Sequence, residues 1–75
     1  MTLEKLVYMV NQIDQFFSAT GSEQTAVDGI ADHLKKFWSP AMRQMLIDGR
    51  QEISNDLSER GRQAIESLAK SQNKV

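Results

Sequence analysis

Residues 33–43 read His-Leu-Lys-Lys-Phe-Trp-Ser-Pro-Ala-Met-Arg, and this segment decides how the chain folds on either side of it. It contains the only histidine, the only tryptophan and the only proline of the 75 residues. Proline disfavours helical geometry in the residue before it, so a helix that approaches Ser39 should end near Trp38. Serine as N-cap, followed by proline at the first helical position, also begins a new helix well. The segment therefore predicts a corner between two helices.

Two amphipathic helices are predicted before this corner. Apolar residues recur at spacings of three and four from about residue 2 to 19, with Thr2 as N-cap and Gly21 as a left-handed C-terminal cap. The second helix is expected from residue 23 to 37 or 38, capped by Ser22. The polar residues expected to lie mostly off the apolar stripe of the first helix are Asn11, Gln12, Asp14 and Gln15.

Two further helices are predicted after the corner. The third should run from residue 40 to 47 or 48, and residues 49–55 are either a loop or its extension. Asp56, with glutamate three residues later, predicts the start of a last helix that ends near residue 69 or 70, before a frayed polar tail. No segment alternates as a strand does. We therefore expect one all-α domain over residues 1–75, a small bundle of three main helices plus one short helix.

Three residues near the corner each allow two interpretations. Phe37 and Trp38 are adjacent, and adjacent helical residues point about 100° apart, so they cannot face the same way. We expect Phe37 in the core, and Trp38 either in the core or in a partner's pocket. Gly29 is either an isolated weak spot in the second helix or a point where another helix approaches closely.

Composition excludes several classes of function. Ten acidic and nine basic residues give a formal charge of −1, which argues against general nucleic-acid binding. No apolar run approaches the roughly 20 residues of a membrane span, and the N-terminus lacks the pattern of a signal peptide. Cysteine is absent, which excludes disulfides and thiolate metal sites. The simplest expectation is a soluble cytoplasmic protein without a membrane or nucleic-acid partner.

The residue types do not predict an active site. His33 has glycine four residues before it and phenylalanine four residues after it, so neither can orient its ring as a base requires. Phosphate-binding glycine loops and nucleophile elbows are absent. Lys35, Lys36 and Arg43 either form a basic patch or only solvate the surface near a helix C-terminus. We expect no catalytic, metal or cofactor-binding residues, and the candidates for partner binding are His33, Lys36, Trp38, Met42 and Arg43.

Residues 30–43 resemble the delta subunit of NAD-dependent formate dehydrogenase. The shared pattern is His-Leu, two residues, Phe-Trp, one residue, Pro, one residue, then Met-Arg. Residues 6–17 also fit through their Asn-Gln-Ile and Phe-Phe elements, and residues 57–68 fit more weakly. Family members often carry arginine at the positions of Lys35, Lys36 and Ala41. Lysine is a point charge without the planar fork of arginine, so bidentate recognition of phosphate or carboxylate is not expected from Lys35 and Lys36, and Ala41 carries no charge at all.

This resemblance implies a non-catalytic accessory subunit of a soluble molybdenum- or tungsten-dependent complex. In such a complex the alpha subunit carries bis-molybdopterin guanine dinucleotide and iron–sulfur clusters. The beta and gamma subunits carry FMN, further clusters and the NAD site. This chain would hold none of these groups, bind the alpha subunit, and support assembly, stability or cofactor insertion. The alternatives are a self-associating helical regulatory protein, as a homo-oligomer, and a cofactor-handling protein.

Overall fold

The computed structural model describes residues 2–19 and 21–72, which form five α-helices and, within these ranges, no strand. The helices are α1 (Leu3–Phe17), α2 (Glu23–Phe37), α3 (Pro40–Asp48), α4 (Arg50–Ile53) and α5 (Glu59–Gln72). The predicted all-α fold with three long helices and a shorter one at the proline is confirmed. The ambiguous stretch after Gly49 forms a single separate helical turn, α4, followed by a loop.

Local hydrogen-bonding signals explain where the first three helices begin. The hydroxyl oxygens of Thr2, Ser22 and Ser39 accept backbone N–H groups three residues ahead, at 3.2, 3.1 and 3.2 Å. These groups would otherwise lack partners in the first turn of each helix. Pro40 occupies the start of α3, where its missing N–H costs nothing. The predicted caps are confirmed at all three positions.

The ends of two helices differ from the prediction. Ser58, and not Asp56, caps α5, since its hydroxyl accepts the Gly61 N–H at 3.0 Å. The N–H of Asp56 instead donates to Ile53 at 2.9 Å, which keeps Asp56 in the preceding loop. α5 continues to Gln72, so the frayed tail predicted from about residue 71 is wrong for residues 71 and 72, and its remainder, residues 73–75, lies outside the described residues. Gly21 has the expected positive φ, but α1 already ends at Phe17.

The core lies between α1, α2, α3 and α5. α1 packs against the other three, and α5 packs against both α2 and α3. Fully burying one leucine or isoleucine side chain stabilises the fold by about 1.5–3 kcal/mol. The largest completely buried side chains come from all four helices: Leu6, Val10, Ile30, Leu34, Leu46, Ile65 and Leu68.

Three glycines allow α1 to approach the rest of the chain closely. We call these contacts the glycine seam: Leu3 on Gly49, Val10 on Gly61 and Phe17 on Gly29. A Cβ atom on these glycines would lie only 2.6, 3.0 and 2.7 Å, respectively, from the α1 side chain. The three α1 residues are seven positions apart, so they share one face of the helix. The close-approach interpretation of Gly29 is thereby confirmed.

Polar residues of α1 also face the rest of the protein, contrary to expectation. Asp14 is only 6% exposed and accepts two hydrogen bonds from Arg60, from Nε at 2.6 Å and from Nη2 at 3.3 Å. The hydrogen bond and charge of Asp14 raise the pKa of Arg60 above its usual value. Asn11 donates to the Asp56 carbonyl at 2.9 Å and accepts the Ser58 N–H at 3.0 Å. These pairs fix α1 against the start of α5.

Candidate interaction surface

The two adjacent aromatic residues at the corner differ in burial: one is in the core and the other is exposed to solvent. Trp38 is 6% exposed and belongs to the core, whereas Phe37 is 72% exposed. The expectation that Phe37 lies in the core is therefore wrong. α2 ends at Phe37, and Trp38 has extended backbone angles, φ −93° and ψ 144°. The rotation of a regular helix no longer applies there, so the larger ring turns inward while Phe37 stays on the outer face of α2.

Arg43 connects the two helices of the corner. Its Nη1 donates to the carbonyl oxygens of Trp38 at 2.7 Å and Lys35 at 3.0 Å, with Leu34 at 3.4 Å. Carbonyl groups in the last turn of a helix lack intrahelical partners and carry partial negative charge. The guanidinium of Arg43 therefore stabilises the end of α2 from its position on α3.

The other predicted partner-binding residues occupy different environments. Lys36 pairs with Asp32, one turn earlier, at 3.0 Å, and both side chains are more than half exposed. Met42 is half-buried and packs against the core. His33 is half-buried on α2, beside Phe17 of α1. The five candidates are thus divided between the core, the corner and the surface. Because Lys36 pairs with Asp32 and Arg43 binds the carbonyl groups at the end of α2, their contacts favour solvation and helix capping over a shared basic patch.

His33 is part of a row of rings that crosses from α1 to α2. We call this row the aromatic strip, and it consists of Phe16, Phe17, His33 and Phe37. The ring centroids lie 5.1 Å apart for Phe16–Phe17, 6.5 Å for Phe17–His33 and 4.8 Å for His33–Phe37. The first two pairs meet edge to face, an arrangement that aromatic rings favour.

The inner rings of the aromatic strip are held by the fold, and the outer rings are not. Phe17 packs over Gly29 in the glycine seam, and His33 contacts both Phe17 and Phe37. Phe16 and Phe37 are 73% and 72% exposed. The spacing of four from Gly29 to His33 to Phe37 could have predicted this row, because such residues line up on one helix face.

Two grooves lie elsewhere on the surface. One runs between α2 and α5 and is lined largely by polar and charged residues, including Asp28, Arg62 and Glu66. The other is bordered by Val7 and Tyr8 of α1 and by Ile53. Within residues 2–19 and 21–72, no three acidic or histidine side chains come together as a metal-binding group. In the same ranges, no helix combines the length and the apolar character needed to span a bilayer.

Comparison with known proteins identifies a family. A family model described as the NADH-dependent formate dehydrogenase delta subunit FdsD matches residues 5–65. The matched range begins in α1, ends in α5, and includes the corner and the aromatic strip. No curated protein and no solved structure matches the chain.

Proposed function

The chain belongs to the family of NADH-dependent formate dehydrogenase delta subunits, and on this premise we propose that it is a non-catalytic accessory subunit of such an enzyme. The family match carries the proposal, and it confirms the resemblance seen in residues 30–43. The subunit acts in the cytoplasm by binding the catalytic alpha subunit of a complex that also contains beta and gamma subunits. It supports the assembly or stability of that complex, or the insertion of the molybdopterin cofactor.

The surroundings of His33 support a role without catalysis. Its ring contacts the phenyl rings of Phe17 and Phe37. A phenyl ring can neither orient a histidine tautomer nor exchange a proton with it, as a general base would require. The contacts of this ring therefore suit a surface for binding better than a site for chemistry.

The cofactors of formate oxidation are assigned by this proposal to the other subunits. Iron–sulfur clusters are held mainly by cysteine thiolates, and this chain has no cysteine, so its residues do not fit such a cluster. Among the described residues, no buried side-chain nitrogen or oxygen is left without a hydrogen-bond partner. The described interior therefore offers no unpaired polar side chain for bis-molybdopterin guanine dinucleotide, FMN or NAD.

Co-production of the tagged chain with the alpha, beta and gamma subunits tests the proposal. The chain should coelute with the alpha subunit and should not oxidise formate on its own. Separate elution, together with sedimentation of the isolated chain as a tight homodimer, would instead favour a self-associating regulatory protein. Calorimetric titration of the isolated chain with the guanine dinucleotide cofactor should give no heat, and a binding isotherm would favour a cofactor-handling protein.

The same complex prepared without the chain separates the possible roles. Molybdenum, tungsten and pterin content per alpha subunit should fall if the chain supports cofactor insertion. Subunit association or thermal stability should fall at full pterin content if the chain supports the assembly itself. A complex that is unchanged in cofactor content, stability and formate oxidation would contradict the accessory role.

A further inference from the structure

We propose that the aromatic strip is the surface by which this chain docks, with Phe16 and Phe37 entering an uncharged apolar recess of the catalytic alpha subunit, the larger partner named above. The inference rests on the proposed function, since that function supplies the partner. It names the surface and the chemistry of the partner's site.

The outer rings of the strip are exposed well beyond what the fold requires. Phe16 and Phe37 are 73% and 72% exposed although they are among the largest apolar side chains of the chain. Two phenylalanines exposed to this extent present about 300 Å² of apolar surface. A patch of about 300–600 Å² is the largest on a typical monomer and often has a function.

Each outer ring of the strip contacts an inner ring that the fold already holds in place. Phe17 packs over Gly29 and meets Phe16 edge to face, with the ring planes at 88°. His33 lies 4.8 Å from the Phe37 ring and also contacts Phe17. Aromatic side chains have few rotatable bonds, so fixing them on binding costs little conformational entropy. The strip therefore has the rigid aromatic character of an interface anchor.

The edge of the strip carries almost no net charge. On α2, Lys36 is paired with Asp32 at 3.0 Å. On α1, the residues adjoining Phe16 include the exposed amides Gln12 and Gln15. A surface that binds acidic groups or nucleic acid needs an excess of basic side chains. The complementary surface of the partner is therefore apolar at its centre and uncharged.

The area of the strip favours a larger partner over a second copy of this chain. A stable interface buries about 800 Å² per partner, well above the roughly 300 Å² of the two outer rings. The surface of the chain is 4807 Å², so a self-complementary dimer that buried about 800 Å² per copy would cover about a sixth of it, most of this outside the strip. A recess on a larger subunit can enclose both rings and their flanks at once. We therefore assign the strip to the larger subunit.

The test compares two variants that remove exposed aromatic surface. Phe16→Ser/Phe37→Ser removes the outer rings of the strip, and Tyr8→Ser removes a ring that is 64% exposed beside a groove on another part of α1. Each purified chain is titrated onto an immobilised complex of the alpha, beta and gamma subunits. The double variant should bind at least about tenfold more weakly than the wild type, as hot-spot residues do. Tyr8→Ser should bind within about twofold of the wild type.

The controls separate this inference from the proposed function. Circular dichroism must show that each variant melts like the wild type, and Phe37→Glu, a single change at an exposed site, replaces the double variant if that one unfolds. Failure of the wild type to bind would overturn the proposed function. Equal binding by the wild type and the double variant would overturn only the assignment of the strip, and equal losses in the double variant and Tyr8→Ser would do the same. A wild-type homodimer that the double variant cannot form would assign the strip to a second copy.

Discussion

The glycine seam and the aromatic strip both take apolar side chains from α1, but they relate to the fold in opposite ways. In the seam, Leu3, Val10 and Phe17 each pack where a glycine leaves room. In the strip, Phe16, adjacent to Phe17, leaves 73% of its surface in solvent. The comparison shows that apolar residues of one helix can either pack in the interior or remain exposed on the surface. A glycine opposite the residue indicates packing.

The largest expected effect separates two adjacent residues that represent the two regions. Trp38→Ala should lower the free energy of unfolding by about 3–5 kcal/mol, because it leaves a cavity in the core where the ring is 6% exposed. Phe37→Ala should change this free energy by no more than about 0.5 kcal/mol, because Phe37 is mostly in solvent. Urea denaturation followed by circular dichroism measures both. Similar losses in the two variants would remove the distinction between packed and displayed rings.

The polar side of α1 should also contribute to stability, through the hydrogen bonds of Asn11 with the loop before α5. Asn11→Ala should lower the free energy of unfolding by about 1–3 kcal/mol, because the partly buried N–H of Ser58 would lose its acceptor. Gln12→Ala, at an exposed position one residue further along α1, is the matched control and should stay within about 0.5 kcal/mol of the wild type. The same denaturation experiment applies. Equal stability of Asn11→Ala and the wild type would show that the Asn11 hydrogen bonds do not help to hold α1 against α5.

Local signals were sufficient to predict most helix boundaries. Ser22, Ser39 and Pro40 act through hydrogen bonds and backbone preferences within a few residues, so their effects can be inferred without the fold. The start of α5 could not be inferred in this way. Asn11 binds the backbone of Asp56 and Ser58 from 45 and 47 residues away along the chain, and no local pattern predicts such a contact.

The candidate site was predicted less completely than the fold. His33 was identified because it is the only histidine in an unusual segment, and it does contact neighbouring rings. Helical periodicity places Phe37 in the core and gives no sign of the exposure of Phe16, because periodicity cannot tell a packed face from an exposed one. Trp38 turns inward because the backbone leaves helical geometry there. The sequence predicts that the helix ends near this residue, but it does not predict the direction in which the side chain then points. The partner-binding roles of all five candidates stay predictions: His33, Lys36, Trp38, Met42 and Arg43.

The smallest expected effect is at the point where the two regions meet. In Gly29→Ala, the new Cβ atom would lie 2.7 Å from the Phe17 ring, so the ring must move. Overpacking costs about 1–3 kcal/mol, and replacing a helical glycine by alanine returns about 1 kcal/mol. The net loss in the free energy of unfolding should be about 1 kcal/mol. Docking should weaken as well, since Phe17 supports Phe16 and His33.

A double-mutant cycle isolates the contact between Gly29 and Phe17. Phe17→Leu removes part of the ring that the new Cβ atom would meet, so Gly29→Ala should cost less stability in the Phe17→Leu background than in the wild type. Residues in direct contact commonly show such coupling, at about 0.5–3 kcal/mol. Strictly additive losses would mean that the ring moves aside without cost. In that case the position of Phe17 would not be set by Gly29, and the strip would lose its link to the seam.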